Sequence, residues 1–459
     1  MAPRHLLRRD LHRVTAAASL KALAQAAIDR RRDWIIDIAE QALRSPELGF
    51  REFETSRLVS EKLTELGIEH TKNVAITGVT ATLRGGNNGP TVAVLGELDA
   101  LPLPGHRSAD PMSGAAHACG HNSQIGIMIG AAVGLMVPEV LRALCGDIEL
   151  MAVPAEEFVD VEYRLNLRRD GKLRFLSGKQ EFIRLGAFDP VDMAMMVHTS
   201  ATAEDAKFSL GGTTNAHVGK YVRFLGKSAH AGSSPHRGVN ALQAALVALH
   251  AVNTQRETFQ DPDIVRVHGI ITHGGEAANA TPAEVRYEGR VRGRAIDVVD
   301  DAATKVDRCL RAGALALGAS VEIVTIPGYF PLLNDPGLSS VFRDNAETLV
   351  GTSSFASQPT SQPKGGSTDM GDLSQIMPVI HPYTGGFSGT GHGDDYRVID
   401  YEQAVVRPAK AIVMTVIDLL TNGAAKAKQV IENSCPPMTK ESYLQLQDSR
   451  MSEETYTSP

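Results

Sequence analysis

At 459 residues, 43% hydrophobic and 22% charged, the chain has the composition of an ordered globular protein with length for two or three domains. Its net charge of −7 comes with no basic patch, which argues against nucleic acid as a partner. The longest apolar stretch, residues 125–137, is shorter than the about 20 residues a membrane helix needs, so no span is expected.

The arginine-rich start, MAPRHLLRRDLHRV, lacks the apolar core and cleavage site of a secretory signal and reads as a solvated leading segment. Cys119, Cys145, Cys309 and Cys435 are too scattered for a disulfide framework, and a cytoplasmic location is expected. Apolar residues recur at helical spacing over 20–43, and a second amphipathic helix over 53–66 ends at Gly67. Residues 74–83 and 91–95 read as strands around a Gly-Gly-Asn-Asn-Gly-Pro turn. Strands at 147–153 and 193–198 continue an alternation that predicts an α/β domain with a mixed, mostly parallel sheet.

Between 213 and 327 the order changes to β-α-β-β-α-β. Strands fall at 218–225, 264–272, 283–292 and 320–327, with helices at 238–255 and 298–317. This is a ferredoxin-like α+β unit inserted into the α/β domain, whose two parts are 1–212 and 328–423. A helix over 401–420 closes the main domain. Residues 424–459 are polar and aperiodic, and read as a loosely packed tail.

Candidate chemistry gathers where strands end. Glu97 and Asp99 alternate after the apolar run 92–95, so a strand would point both carboxylates to one face. His117, Cys119 and His121 follow, with Gly114 and Gly120 letting the backbone bend, and 125–137 then reads as a packed helix. Cysteine binds a metal as thiolate, and a nearby ion lowers its ordinary pKa of about 8.5. Glu156 and Glu157 follow the strand at 147–153. Alone they read as a solvated helix start, but beside a divalent ion one can bind while the other takes a proton from water. His198 ends a strand, and His392 lies in the glycine-flanked loop 389–395. The loops 226–232 and 274–282 of the inserted unit carry polar groups that could reach a substrate.

The motifs ELDALP (97–102), HACGHN (117–122), PAEE (154–157), GKSAHAG (226–232), NATP (279–282) and GGSTDMGDLS (365–374) resemble the M20 family of metallopeptidases and amidohydrolases. The likeness is to the branch with amino-acid amidohydrolases, auxin-conjugate hydrolases and p-aminobenzoyl-glutamate hydrolase. It implies two divalent ions, Mn or Zn with Co or Ni as alternatives, held by Cys119, His121, Glu157, His198 and His392, with Asp99 behind them. Glu156 is then the general acid/base, and His230 and Asn279 of a lid domain steady the tetrahedral intermediate. His230 would act across a homodimer formed through that lid. The implied reaction is hydrolysis of a C–N bond in a small amide such as an N-acyl or N-aroyl amino acid. Hydrolytic deamination of an aromatic amine such as 5-nitroanthranilate, and a non-catalytic binder on the same scaffold, are the alternatives. Three departures stand out. Glu97 replaces the ligand histidine of many relatives. Asn122 and Gln124 stand where aspartate and histidine are common. The segment 158–185, with Arg164, Arg168, Arg169, Lys172, Arg174 and Lys179, is long and basic, and reads as a solvated loop and helix.

Overall fold

The computed structural model describes residues 4–201, 207–358 and 365–459, with side chains from residue 17 onward. The expectation of a solvated start falls on side chains outside that set. The backbone there belongs to a helix, Arg4–Arg30, which breaks at Arg31 before a second, Arg32–Arg44. The expected strand at 74–83 is instead a hairpin, Thr71–Val74 and Gly78–Leu83, because Ala75 and Ile76 turn through positive φ.

The main sheet is six-stranded. Its order is Thr71–Val74, Gly78–Leu83, Cys145–Val153, Asn87–Glu97, Met193–Met195 and Val379–Ile380. The first two pairings are antiparallel and the other three parallel, giving the mixed sheet expected. Helix His121–Leu135 is buried on every side. Gly126, Gly130 and Gly134 form a stripe along it, and a Cβ at each would stand 2.9–3.0 Å from Val405, Ala409 and Val413. The stripe lets the final long helix approach closely. That helix, Arg407–Leu420, is preceded by a π turn at Glu402–Val406, where Pro408 withholds the N–H a regular turn would use.

The parallel strands Asn87–Glu97, Cys145–Val153 and Met193–Met195 run toward one edge of the sheet. Just beyond their C-terminal ends lie Asp99, then Glu156 and Glu157, then His198. In open α/β sheets this is where ligand crevices form.

The second sheet has the order Arg266–His273, Glu284–Gly293, Ala216–Leu225, Ser320–Pro327 and Ser452–Thr457, antiparallel throughout. Helices Ala241–Gln255 and Ile296–Leu317 supply a separate apolar core beneath it. The fifth strand corrects the expectation of a loose tail. Residues 424–459 form helices Ala425–Asn433 and Lys440–Ser449 and then the edge strand of the lid. A polar edge strand is held by backbone pairing, so it shows little hydrophobic periodicity.

The basic segment is corrected too. It folds into helices Val161–Arg169 and Gly178–Leu185, and Arg164, Lys179 and Glu181 are fully buried. Arg169, Lys172 and Arg174 do face solvent.

Candidate metal centre and its surroundings

The strand carrying the first carboxylate ends at Glu97, so Asp99 is placed by the loop that follows rather than by strand alternation. Asp99 makes the more informative contacts. Its carbonyl oxygen accepts a hydrogen bond from His121 Nδ1 at 2.9 Å, and its Oδ2 accepts the Glu157 N–H at 2.8 Å. With Nδ1 bound in this way, Nε2 is the free lone-pair position of a neutral His121. Gly120, at φ +83°, makes the turn from Cys119 into the helix, and a Cβ there would stand 2.6 Å from Thr199.

Cys119 Sγ lies 3.4 Å from His198 Nε2, and His198 Nδ1 donates to the Thr199 carbonyl at 3.0 Å. The Thr199 hydroxyl in turn donates to the Cys119 carbonyl at 2.8 Å. Across the site, His392 stands at φ +62° in its loop, donates its N–H to the Ala118 carbonyl at 2.9 Å, and places Nε2 3.2 Å from Glu157 Oε1.

Two triads of potential ligand atoms result, Cys119–His121–His198 and Cys119–Glu157–His392, each within 4.8 Å and sharing the cysteine. A third combines Glu97, His121 and Glu156. His121 Nε2 and Glu157 Oε1 are buried with no hydrogen-bond partner of sound geometry among the described residues. Orphaned lone pairs are costly inside a protein, and a cation bound between them removes that cost. The soft and borderline donors present fit a transition metal.

The electrostatics separate the two adjacent carboxylates. Burial pushes Glu156 up, and the charges of Glu97 and Glu157 push it further, well above the usual carboxylate range. Glu157 is buried as well, but His392 holds it below that range and is itself raised to about 11. Burial alone would raise the Cys119 thiol, yet His198 draws it down to about 6. One carboxylate therefore keeps a proton while its neighbour stays charged.

Glu97 is already engaged. Lys179, fully buried, ion-pairs with its Oε1 and also with Asp369. Gln124 donates to its Oε2 at 2.8 Å and accepts the Glu97 N–H at 3.0 Å. A carboxylate neutralised by an ammonium is a poorer ligand than Glu157, although Oε2 comes within 3.0 Å of His121 Nε2.

His230 and Asn279 lie together on the lid, joined by the bond from Ala231 N–H to the Asn279 carbonyl at 2.9 Å. Both side chains are exposed, and among the described residues no hydrogen bond or ion pair ties either to the metal-binding cluster. Other lid residues do reach toward it. Arg290 donates to the Phe158 carbonyl, and Arg292 to His268 at 3.1 Å and Ser367 at 3.2 Å. Burial and then Arg290 lower Arg292 to about 10, against the pull of Glu157 and Glu156. Sequence reasoning missed this pair, Lys179 and Asp369. The i, i+2 spacing of the arginines on a strand was the available signal.

The profile of peptidase family M20/M25/M40 matches residues 93–417. A Xaa-Arg dipeptidase of Mus musculus is 31% identical over 72% of this chain and 70% of its own length. An IAA-amino acid hydrolase of Arabidopsis thaliana is 28% identical over 75% of each. The solved structure of a dinuclear metal-binding M20 peptidase from Bacillus subtilis superposes with a TM-score of 0.61 at 20% identity, covering 86% of this chain and 99% of that one, and shares its fold. The sheet, the inserted lid and the shared motifs agree with these relationships, and the chain belongs to peptidase family M20/M25/M40 as a hydrolase of amide-type C–N bonds.

Proposed function

We propose that the chain hydrolyses the amide bond of small N-acyl or N-aroyl amino acids, in the amino-acid amidohydrolase branch of its family. The observation that carries this reading is the pair of ligand triads meeting at Cys119, with the proton-holding Glu156 at their side. Cys119, His121, Glu157, His198 and His392 would hold two divalent ions, with Asp99 orienting His121. Such ions, when bound, polarise a carbonyl and lower the pKa of water. The thiolate favours Zn, Co or Ni, and the carboxylates suit Mn.

Glu156, drawn down to its charged form by the bound ions, would take the proton from the attacking water and pass it to the departing nitrogen. Arg290 and Arg292 receive the carboxylate of the amino-acid half, as paired guanidinium groups do well. His230 and Asn279 steady the oxyanion, and the exposed position of His230 accords with a site completed by a second subunit. The mouse and plant relatives, named for a dipeptide and for an amino-acid conjugate, support an amide bearing a free amino-acid carboxylate.

The test is a metal-reconstituted screen of N-acyl amino acids, aryl-glutamates and aminobenzoates, assaying both ammonia and carboxylic acid. Release of a carboxylic acid and a free amino acid is expected. Ammonia without a carboxylic acid product would replace the reading with hydrolytic deamination. No turnover of any class in fully metallated protein would reject it in favour of a binding role.

A further inference from the structure

Besides Lys179, the segment 158–185 that follows Glu157 buries an arginine against the catalytic peptide. Arg164 sits on helix Val161–Arg169 and is 0% exposed. Its Nη1 donates to the Ala155 carbonyl at 3.2 Å and to the Leu176 carbonyl at 2.7 Å, and its Nη2 donates to the Glu157 carbonyl. The guanidinium lies 5.4 Å from the centre of the Phe50 ring. The chain makes room for it at Gly49, where a Cβ would stand 2.3 Å from Nη2.

The peptide it grips is unusual. Ala155 adopts φ +54°, a left-handed conformation that a residue with a Cβ disfavours unless its surroundings impose it. Glu52 accepts the Ala155 N–H at 2.8 Å, Asp99 accepts the Glu157 N–H at 2.8 Å, and the Tyr329 hydroxyl donates to the Glu156 carbonyl. With the two carbonyls held by Arg164, five backbone groups of residues 155–157 are fixed by side chains. Arg164 alone holds both ends of the stretch that carries Glu156 and Glu157.

We propose that Arg164 is a positioning residue, which fixes the backbone of residues 155–157 so that Glu157 faces the metal triad and Glu156 faces the reacting bond. This rests on the roles given above to Glu156 and Glu157. It assigns to helix Val161–Arg169 a function that its exposed charges alone would not indicate.

The test uses the full chain with R164K, R164M, L144A and E157Q. R164K keeps a buried cation but cannot span the carbonyls. L144A weakens the main-domain core at a fully buried side chain, at the opposite end of strand Cys145–Val153 from the catalytic peptide. Cobalt(II) is titrated into each apo-protein, following its visible spectrum and its competition with a chelator, so that metal binding is read without a substrate. Turnover is then measured on the best amide of the screen.

For R164K, cobalt affinity at one site should fall about tenfold and kcat by about tenfold to a hundredfold, with KM within about threefold. R164M should lose more than R164K, and L144A, with a comparable drop in Tm, should change neither. If R164M does not accumulate folded, R164Q takes its place, since its amide can still serve one carbonyl. Cobalt binding and kcat in R164K within twofold of the parent would overturn the proposal, as would equal losses in L144A. An unchanged cobalt titration in E157Q would instead remove Glu157 as a ligand, and the present proposal with it. A weakened E157Q beside an unchanged R164K would sink the Arg164 proposal alone.

Discussion

Glu156 is buried among negative charges, so its carboxyl holds a proton, whereas the adjacent Glu157 stays charged beside His392. Replacing it with Gln keeps shape and hydrogen bonding but removes the proton exchange. Glu156→Gln should lower kcat by about 10²–10⁴-fold while elemental analysis finds the metal content unchanged. Turnover at the parent rate would remove Glu156 from the mechanism. At this scale the sequence was informative where residues cluster. Cys119, His121, Glu157, His198 and His392 form a ligand set through the resemblance of their motifs to the M20 family, and the fold brings them together in two triads. Glu97 was harder to interpret. Its partner Lys179 lies more than eighty positions away in a segment that reads as solvated, and no local pattern marks a lysine that will be buried between two carboxylates.

Elements that look hydrophilic are buried here when their polar groups find fixed partners. The short helix Met370–Leu373 shows this through Asp372, whose Oδ1 accepts from Tyr443 at 2.7 Å, Gln447 at 3.1 Å and Gln180 at 3.2 Å. It thus joins helix Gly178–Leu185 to helix Lys440–Ser449. Burial raises Asp372 to about 7, against about 3.9 in an unfolded chain. Between those values the folded chain keeps a proton that the unfolded chain has released. Stability from this group therefore falls as pH rises through the window, and levels off above about pH 7. Asp372→Asn cannot ionise, so the difference in Tm between variant and parent should shift in the variant's favour from pH 5 to pH 8. A difference independent of pH would show that Asp372 does not titrate in this range. Hydrophobic periodicity located the strands and long helices because their cores are apolar. It missed the depth of 158–185 because that segment is anchored by Arg164, Lys179 and Glu181 rather than by an apolar stripe.

Across the whole molecule, the two edges of the lid sheet are treated differently. Strand Ser452–Thr457 covers Ser320–Pro327, Arg311 pairs with Glu454 at 2.8 Å, and Tyr456 packs on the lid core. Because helix Lys440–Ser449 is held by the main domain, this strand adds a third chain connection between the two bodies. Deleting residues 451–459 should lower Tm by about 2–4 °C and speed hydrogen exchange in 320–327. Unchanged exchange there would mean the strand adds nothing to the lid. The opposite edge, Arg266–His273, pairs with Glu284–Gly293 on its inner side and, among the described residues, with no strand on its outer side; it exposes Ile270 at 64% and Ile271 at 37%, and Leu246 and Val247 of helix Ala241–Gln255 are exposed as well. An open strand bearing apolar side chains is a template for pairing with a second copy. One edge closed in cis and the other left apolar favour a single closed two-fold dimer over an open chain of subunits. Ile270→Lys should therefore convert a dimer to a monomer in light scattering after gel filtration. If His230 serves the site of the partner subunit, the same variant should lose kcat although residue 270 touches no ligand. A parent protein that stays monomeric at high concentration would remove the dimer, and a monomeric but fully active Ile270→Lys would return His230 to its own subunit.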